Sequence, residues 1–342
     1  MWALRVGYAP PVAYSGPMHA SALPPICPAG FRRDLPRWRQ LVGAAWLAAL
    51  LDHGRVAAAP TGHWQLFEVA CEGRAPFAAG HIPGADFLDT QTFEEPPFWN
   101  LRALGACQQL LQRWGLGPAS TVILYGRNTL AAARVAHWLL CAGVADVRLL
   151  DGGFAAWCAA GHALQQGLGS RHATAARAEA AWPTDLVARP EYLLNLSQAQ
   201  ALLKCPDAAL VSIRSHAEWV GQTSGYSYIA ARGEIAGALW GHAGQDGDIN
   251  SMSTYQDAAG CMKPAADIQA LWAEAGIVPS MQIGFYCGTG WRASLAFFYA
   301  WLMGWERIGV FAGGWMQWSA DPSNPVVCRD PGSALPAPPG IN

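Results

Sequence analysis

Charge is scarce in this chain. Of its 342 residues only 13% are Asp, Glu, Lys or Arg, the formal net charge is -2, and the basic residues form no cluster. Nucleic-acid binding draws on counterions released by a basic surface, so nucleic acid is excluded as a main partner. Long apolar runs are missing too. The two longest, Leu41 to Leu51 and Ala293 to Trp305, fall short of the roughly 20 residues that cross a bilayer, and no transmembrane helix or membrane partner is expected. The nine cysteines are odd in number and include no C-x-x-C pair and no His/Cys cluster at zinc spacing. That argues against a disulfide framework or a bound metal, and for reduced thiols in a cytoplasmic protein.

What is plentiful is apolar and aromatic. With 52% hydrophobic residues and 17 tryptophans, the chain has the composition of a folded protein, and its length suits two domains, each burying its own core. Near the start, "RRDLPRWRQLVGAAWLAALLDHGRVAAAP" imitates an export signal through its basic stretch, apolar run and small residues. The opposing expectation places Trp46 to Leu51 on the first helix of a folded domain. An internal repeat favours the second, so the expected location is cytoplasmic, with export to the periplasm as the alternative.

Shifted by 161 positions, Gly115 to Trp157 aligns with Gly276 to Trp318 without a gap. The identities fall on turn glycines and anchor aromatics: Gly115/Gly276, Pro118/Pro279, Tyr125/Tyr286, Ala132/Ala293, Gly143/Gly304, Gly152/Gly313, Gly153/Gly314 and Trp157/Trp318. Each copy predicts a helix (Cys107 to Trp114; Ile268 to Ala275), a strand ("TVILYG"; "QIGFYC"), a loop, and a second helix (Ala132 to Ala142; Ala293 to Met303). Another strand ("DVRLL"; "RIGVF") and a Gly-Gly-aromatic turn follow. Strands alternating with helices at this spacing imply parallel pairing through right-handed crossovers. The expected fold class is α/β, as two tandem domains that each hold a central parallel sheet flanked by helices. The expected divisions are a mobile segment 1–36, a first domain 37–168, a linker 169–187, a second domain 188–328 and a flexible tail 329–342.

The chemistry concentrates in "FYCGTGWRAS", residues 285 to 294. In a parallel sheet, ligands bind beyond the carboxyl ends of the strands, which is where Cys287 falls. Gly288 and Gly290 permit positive φ angles, so the loop Gly288, Thr289, Gly290, Trp291 and Arg292 can turn its N–H groups inward as an anion cradle. The following helix contributes its positive end, and Arg292 a full charge. All three favour thiolate over thiol. An inert buried cysteine is the bland alternative, and the glycine-bearing loop with its arginine separates Cys287 from the other eight. In the first copy the equivalent positions hold Gly126 and Ala131, so that domain is expected to be inactive.

"CGTGWRAS", with "VFAGGWMQW" downstream, "GEIAGA" (Gly233 to Ala238) upstream and "HIPGA" (His81 to Ala85) in the first copy, resembles the rhodanese family of sulfurtransferases over residues 40 to 328. In particular it is similar to a bacterial subfamily of tandem domains in which "CGTGWRAS" occurs with "SGYSYI" (Ser224 to Ile229). Some members carry a further degenerate N-terminal domain, for which this chain is expected to be too short. The resemblance implies a double displacement. Cys287 takes a sulfane sulfur from a donor such as thiosulfate or 3-mercaptopyruvate, holds it as a persulfide, and passes it to cyanide or a thiol without metal or cofactor. It also implies that Arg214 lies near the site, as a substrate-binding residue or as part of a structural ion pair. The sequence departs from the thiosulfate-specific pattern at Gly288, Thr289 and Glu218, where such relatives carry cations, so a mercapto acid or a protein persulfide is an equal candidate for donor. Ala312 stands where relatives have an aspartate, which the first copy keeps as Asp151; a local packing difference is expected there. His81 and His242, on or beside loops, are expected to be structural.

Two rival functions remain. A phosphatase or arsenate reductase also pairs a cysteine with an arginine in a loop, but with five residues between them, against four here. A persulfide carrier or partner-binding module would accept one sulfur without turnover.

Overall fold

The computed structural model of the chain describes residues 30–71, 73–168 and 188–329; the expected linker 169–187 and most of both expected terminal segments lie outside the described residues. The first half contains β1 (Leu41–Val42), α1 (Ala44–Leu51), β2 (Trp64–Ala70), α2 (Ala75–Ala79), β3 (Asp86–Asp89), β4 (Glu94–Glu95) and β5 (Asn100–Leu101). It continues with α3 (Leu104–Arg113), β6 (Thr121–Tyr125), α4 (Thr129–Ala142), β7 (Asp146–Leu150) and α5 (Gly153–Ala159). The second half contains β8 (Leu193–Leu194), α6 (Leu196–Leu202), β9 (Ala208–Ser212), α7 (His216–Trp219), β10 (Glu234–Ile235) and β11 (Leu239–Trp240). After these come α8 (Ala265–Glu274), β12 (Gln282–Tyr286), α9 (Trp291–Leu302), β13 (Ile308–Phe311), α10 (Gly314–Ser319) and β14 (Val326–Val327).

Two five-stranded sheets result, in the orders β1-β7-β6-β2-β3 and β8-β13-β12-β9-β11. Every pair within them is parallel, and the orders coincide when β6 is matched to β12 and β7 to β13. The repeat is therefore a repeat of topology. The central strands β6 and β12 are the apolar runs "TVILY" and "QIGFY", buried almost throughout because helices cover both faces.

Helices α4 and α9 are buried on nearly every residue and pack against each other, as expected of helices that are apolar all round. They begin earlier than the apolar pattern alone indicates. Asn128 caps α4 by accepting the Leu130 N–H, and α9 starts at Trp291, directly after Gly290 at φ +90°. One apolar cluster, including Leu139 and Trp138 of α4 and Phe297 and Tyr299 of α9, runs through both halves.

The stretch imitating an export signal is folded here: α1 covers Trp46 to Leu51 and buries Leu47. No helix among the described residues is long and apolar enough to cross a membrane. Residues 31–36, assigned above to a mobile segment, instead pack on the second half. Leu35 is buried in the shared cluster, Arg32 donates to the Met262 and Lys263 carbonyls at 2.6 and 3.0 Å, and the Arg37 N–H binds the Leu302 carbonyl at 3.0 Å. The physical reason is apolar area: Phe31 and Leu35 would otherwise face water.

Candidate active site

Strand β12 ends at Tyr286, so Cys287 opens the loop at the carboxyl edge of the second sheet, paired on one side with β9 and on the other with β13. It is 1% exposed. Gly290 is the N-cap of α9 and offers no side chain to the helix end. Its own N–H donates to Cys287 Sγ at 3.2 Å, so the sulfur accepts a donor at a helix start that no side chain caps. From the other side, the Gly-Gly-Trp turn pins the loop: Trp315 N–H donates to the Cys287 carbonyl at 2.7 Å, and Met316 N–H to that of Gly288 at 3.1 Å. This approach is the reason for Gly314, at φ +50°, since a Cβ there would overlap the Cys287 carbonyl.

Of the two loop glycines, only Gly290 takes a positive φ. Gly288 is needed for space. A Cβ there would overlap the ring of Tyr226, whose hydroxyl accepts the Gly288 N–H at 3.1 Å. Burial pushes the Tyr226 hydroxyl well above its ordinary range, so it stays neutral and protonated. Thr289 is buried, and Tyr228, 54% exposed beside the loop, carries a raised hydroxyl, chiefly through burial.

Arg292 does not present a free charge to the sulfur, contrary to the expectation from sequence. Its Nη1 and Nη2 form a two-pronged pair with Glu218 at 2.8 and 2.9 Å, and Nη2 also reaches the Tyr226 hydroxyl at 2.6 Å. Only the buried Nε–H is without a partner among the described residues. Burial works against the charged form of Glu218, but Arg292 and then Arg214 outweigh it and hold the carboxyl below its usual range. Glu218, noted in the sequence only as a departure from the thiosulfate-specific pattern, is thus a member of the site.

Arg214, read from sequence as a possible substrate ligand, is wholly buried and fully engaged. It pairs with Glu218 and Glu234 at 3.3 Å each, donates to the carbonyls of Gly233 at 2.7 Å and Ser224 at 3.2 Å, and stacks over Trp315 at 5.0 Å. The structure supports the structural alternative for this residue. Glu234 in turn accepts from Ser212 at 2.7 Å and from Tyr286. The two arginines and two glutamates cancel, as buried charges must.

The histidines are structural in their surroundings. His81 is buried, stacks on Phe77 at 3.9 Å and shares a 2.9 Å hydrogen bond with the Phe77 carbonyl. His242 stacks on Trp240 at 3.7 Å, and burial followed by the nearby His216 pushes it down to about 4, so it is neutral at pH 7. Elsewhere, burial pushes the thiols of Cys107 and Cys261 up to about 11 and that of Cys141 higher still.

Sequence reasoning marked Glu218 as a departure without giving it a partner, and it missed Tyr226, Tyr228 and two residues of the first half, Glu94 and Arg134. One signal for Glu218 was present: Ser215 and Glu218 form a capping box at the start of α7, the S-x-x-E pattern that marks a helix N-terminus.

Residues 44–160 and 195–321 each match the family model of the rhodanese-like domain. The thiosulfate sulfurtransferase YnjE of Escherichia coli is 45% identical over 300 residues, covering 88% of this chain and 68% of YnjE; its crystal structure superposes with a TM-score of 0.81, over 86% of this chain and 70% of that one. A probable 3-mercaptopyruvate sulfurtransferase of Pseudomonas aeruginosa is 30% identical over 75% of this chain and 88% of its own. The crystal structure of an anaerobic ergothioneine biosynthesis enzyme from Chlorobium limicola, in complex with its natural substrate trimethyl histidine, superposes with a TM-score of 0.80 at 34% identity. It covers 86% of this chain and 72% of that one.

Proposed function

Since the chain belongs to the rhodanese family of sulfurtransferases, we propose that Cys287 is the residue on which the transferred sulfur rides. Its thiolate attacks the outer sulfur of a donor. A new S–S bond forms as the bond between that sulfur and the rest of the donor breaks. The bonding pair leaves on sulfite when the donor is thiosulfate, or on the methylene carbon of pyruvate, as an enolate that takes up a proton, when it is 3-mercaptopyruvate. In the second half, a thiolate or cyanide attacks the terminal sulfur of the persulfide and the pair returns to Cys287.

The observation that carries this reading is the Gly290 N–H on Cys287 Sγ at 3.2 Å, at the end of a parallel strand and the uncapped start of α9. A fixed donor of this kind stabilises a thiolate and a persulfide anion alike. The 1% exposure of Cys287 suits delivery of a single small atom, and argues against a phosphatase, whose loop must surround a tetrahedral oxyanion.

The donor we favour carries one negative charge. Because Arg214 and Arg292 are neutralised by Glu218 and Glu234, no net positive charge awaits the thiosulfate dianion. A mercapto acid or a persulfide, small or on a partner protein, fits the site better. A ring acceptor is a second reading, favoured by the aromatic wall that Tyr226 and exposed Tyr228 form, 5.5 Å apart. Exposed thiols at Cys158, Cys205 and Cys328 favour a reducing compartment, the cytoplasm.

Cyanide-dependent thiocyanate formation from thiosulfate and from 3-mercaptopyruvate, on wild type and Cys287→Ala, tests the proposal. Wild type is expected to turn over, faster with mercaptopyruvate, and the variant to lose activity with both. A wild type that loads one sulfur and stops would mark a carrier. An active Cys287→Ala would end the assignment.

A further inference from the structure

The first domain has no cysteine in its own loop, yet it sends two charged side chains to the loop of the second. Arg134 on α4 and Glu94 on β4 are both buried and pair at 2.9 Å. The remaining guanidinium nitrogens donate to the Trp99 carbonyl at 2.9 Å and, across the domain boundary, to Ser294 Oγ at 3.5 Å. Ser294 donates its hydroxyl to the Gly290 carbonyl at 2.8 Å, and Gly290 is the residue whose N–H reaches the sulfur. Arg134 also touches Gly290 directly: a Cβ there would overlap Nη1 and stand 3.0 Å from Cζ. Burial raises the Glu94 carboxyl, and Arg134 and then a hydrogen bond with the Trp291 side chain oppose that rise. The pair therefore packs against Gly290 and Ser294 at the start of α9.

The repeat supplies a control within the molecule. At the offset of 161, the counterpart of Arg134 is Leu295, which lines a small cavity with Gly126 and Thr129 at the first domain's loop. An apolar residue suffices there. A buried ion pair commonly stabilises no better than apolar residues of the same volume, so stability alone gives no reason for the charged pair at the other loop.

Resting on the assignment of Cys287 as the sulfur carrier, we infer that Glu94 and Arg134 are positioning residues for sulfur transfer. The first domain holds Gly290, directly and through Ser294, so that the Gly290 N–H stays on the sulfur, and the two domains form one site.

The test compares full-length wild type with Arg134→Met, Arg134→Lys and Glu94→Gln. Two quantities are read: steady-state transfer, and the rate at which iodoacetamide alkylates Cys287, followed by mass spectrometry of its peptide. Misplacing a reacting group by about 1 Å costs on the order of a hundredfold, so Arg134→Met is expected to lose about ten- to a hundredfold in kcat, with KM unchanged. Its alkylation rate should fall in parallel, Arg134→Lys should recover part of both, and Glu94→Gln should show a smaller loss of both. Wild-type kcat and alkylation in Arg134→Met overturn the inference. If circular dichroism shows that variant unfolded, Glu94→Gln decides, and wild-type values there overturn it instead. Alkylation needs no sulfur donor, so a Cys287→Ala variant that still transfers sulfur would undo the functional assignment while leaving this comparison readable.

Discussion

The loops that follow β6 and β12 share a scaffold and differ in chemistry. In both, the first carbonyl accepts a backbone N–H from beyond the Gly-Gly pair: Phe154 N–H to Gly126 at 3.0 Å, and Trp315 N–H to Cys287 at 2.7 Å. In both, the second glycine of that pair has positive φ, Gly153 at +57° and Gly314 at +50°, because a Cβ would run into the same carbonyl. The difference begins where the helix starts. In the first loop Asn128 accepts the Leu130 N–H at 3.0 Å and closes the end of α4, and Gly126 is so enclosed that a Cβ would overlap the Asn128 carbonyl. In the second, the helix end has no side-chain cap and the Gly290 N–H goes to the sulfur. The fold supplies the same place twice, and only where the protein leaves the helix N-terminus uncapped can an anion complete it.

The charges around the two loops differ in the same sense, and this gives the largest expected effect on stability. Glu218 serves two buried arginines, so Glu218→Ala should destabilise the fold by about 3–5 kcal/mol, the usual result of leaving a buried charge unpaired. Arg127 beside the first loop is 36% exposed and pairs with Glu68 at 2.9 Å. Its partner Glu68 is buried, so Arg127→Ala also strands a charge. It strands one and not two, and deleting the partly exposed guanidinium opens a path for water to it, so the cost should be lower, about 1–3 kcal/mol. Urea unfolding of both variants measures the difference, and equal losses would erase the contrast drawn between the loops.

Much of this arrangement was legible in the sequence because it is local. The 161-residue repeat, the apolar strands, the turn glycines and the cysteine at a strand end all lie within short windows, and they led to the parallel sheets and to Cys287. What stayed hidden depends on chain segments meeting from far apart. Arg292 meets Glu218 across 74 positions, and Arg134 meets Ser294 across 160; no local pattern reports such pairs. A faint sign existed in "TLAAARVAHWLLCA", where Arg134 is the one charged residue of an otherwise buried helix and must find a partner. The role of Gly288 was misread for a related reason: its lack of a side chain serves the Tyr226 ring, 62 residues away, and not a φ angle.

A smaller effect separates Asp151 from its counterpart Ala312. Asp151 accepts the Met262 N–H at 2.8 Å, and burial, only partly offset by that bond and by Arg32, pushes its carboxyl up to about 6 from an ordinary 3.8. The folded chain therefore keeps a proton that the unfolded chain has already released between pH 4 and 6. Stability should be highest below that window and fall as pH rises through it, by up to about 1.4 kcal/mol per pKa unit. Asp151→Asn retains an acceptor for Met262 and should flatten this slope, gaining on wild type as pH rises from 4 to 7. Unfolding free energies at intervals across that range measure it, and a constant difference between the two proteins would refute the shift.

The smallest effect sharpens the contrast most. Asn128→Ala removes the cap of α4 and should cost about 1 kcal/mol in stability, with sulfur transfer unchanged, because the loop it loosens holds no sulfur. The same helix carries Arg134 almost two turns further on, so this variant separates a general loosening of α4 from loss of the Glu94 and Arg134 pair. Fraying is confined to the first turn, where the cap acts, and the pair, anchored on β4 and on the Trp99 carbonyl, should remain in register. If kcat falls with the cap as far as it falls in Arg134→Met, the second loop depends on the whole helix and the special standing of the pair is lost. If only the unfolding midpoint moves, the first domain acts on the sulfur through those two side chains.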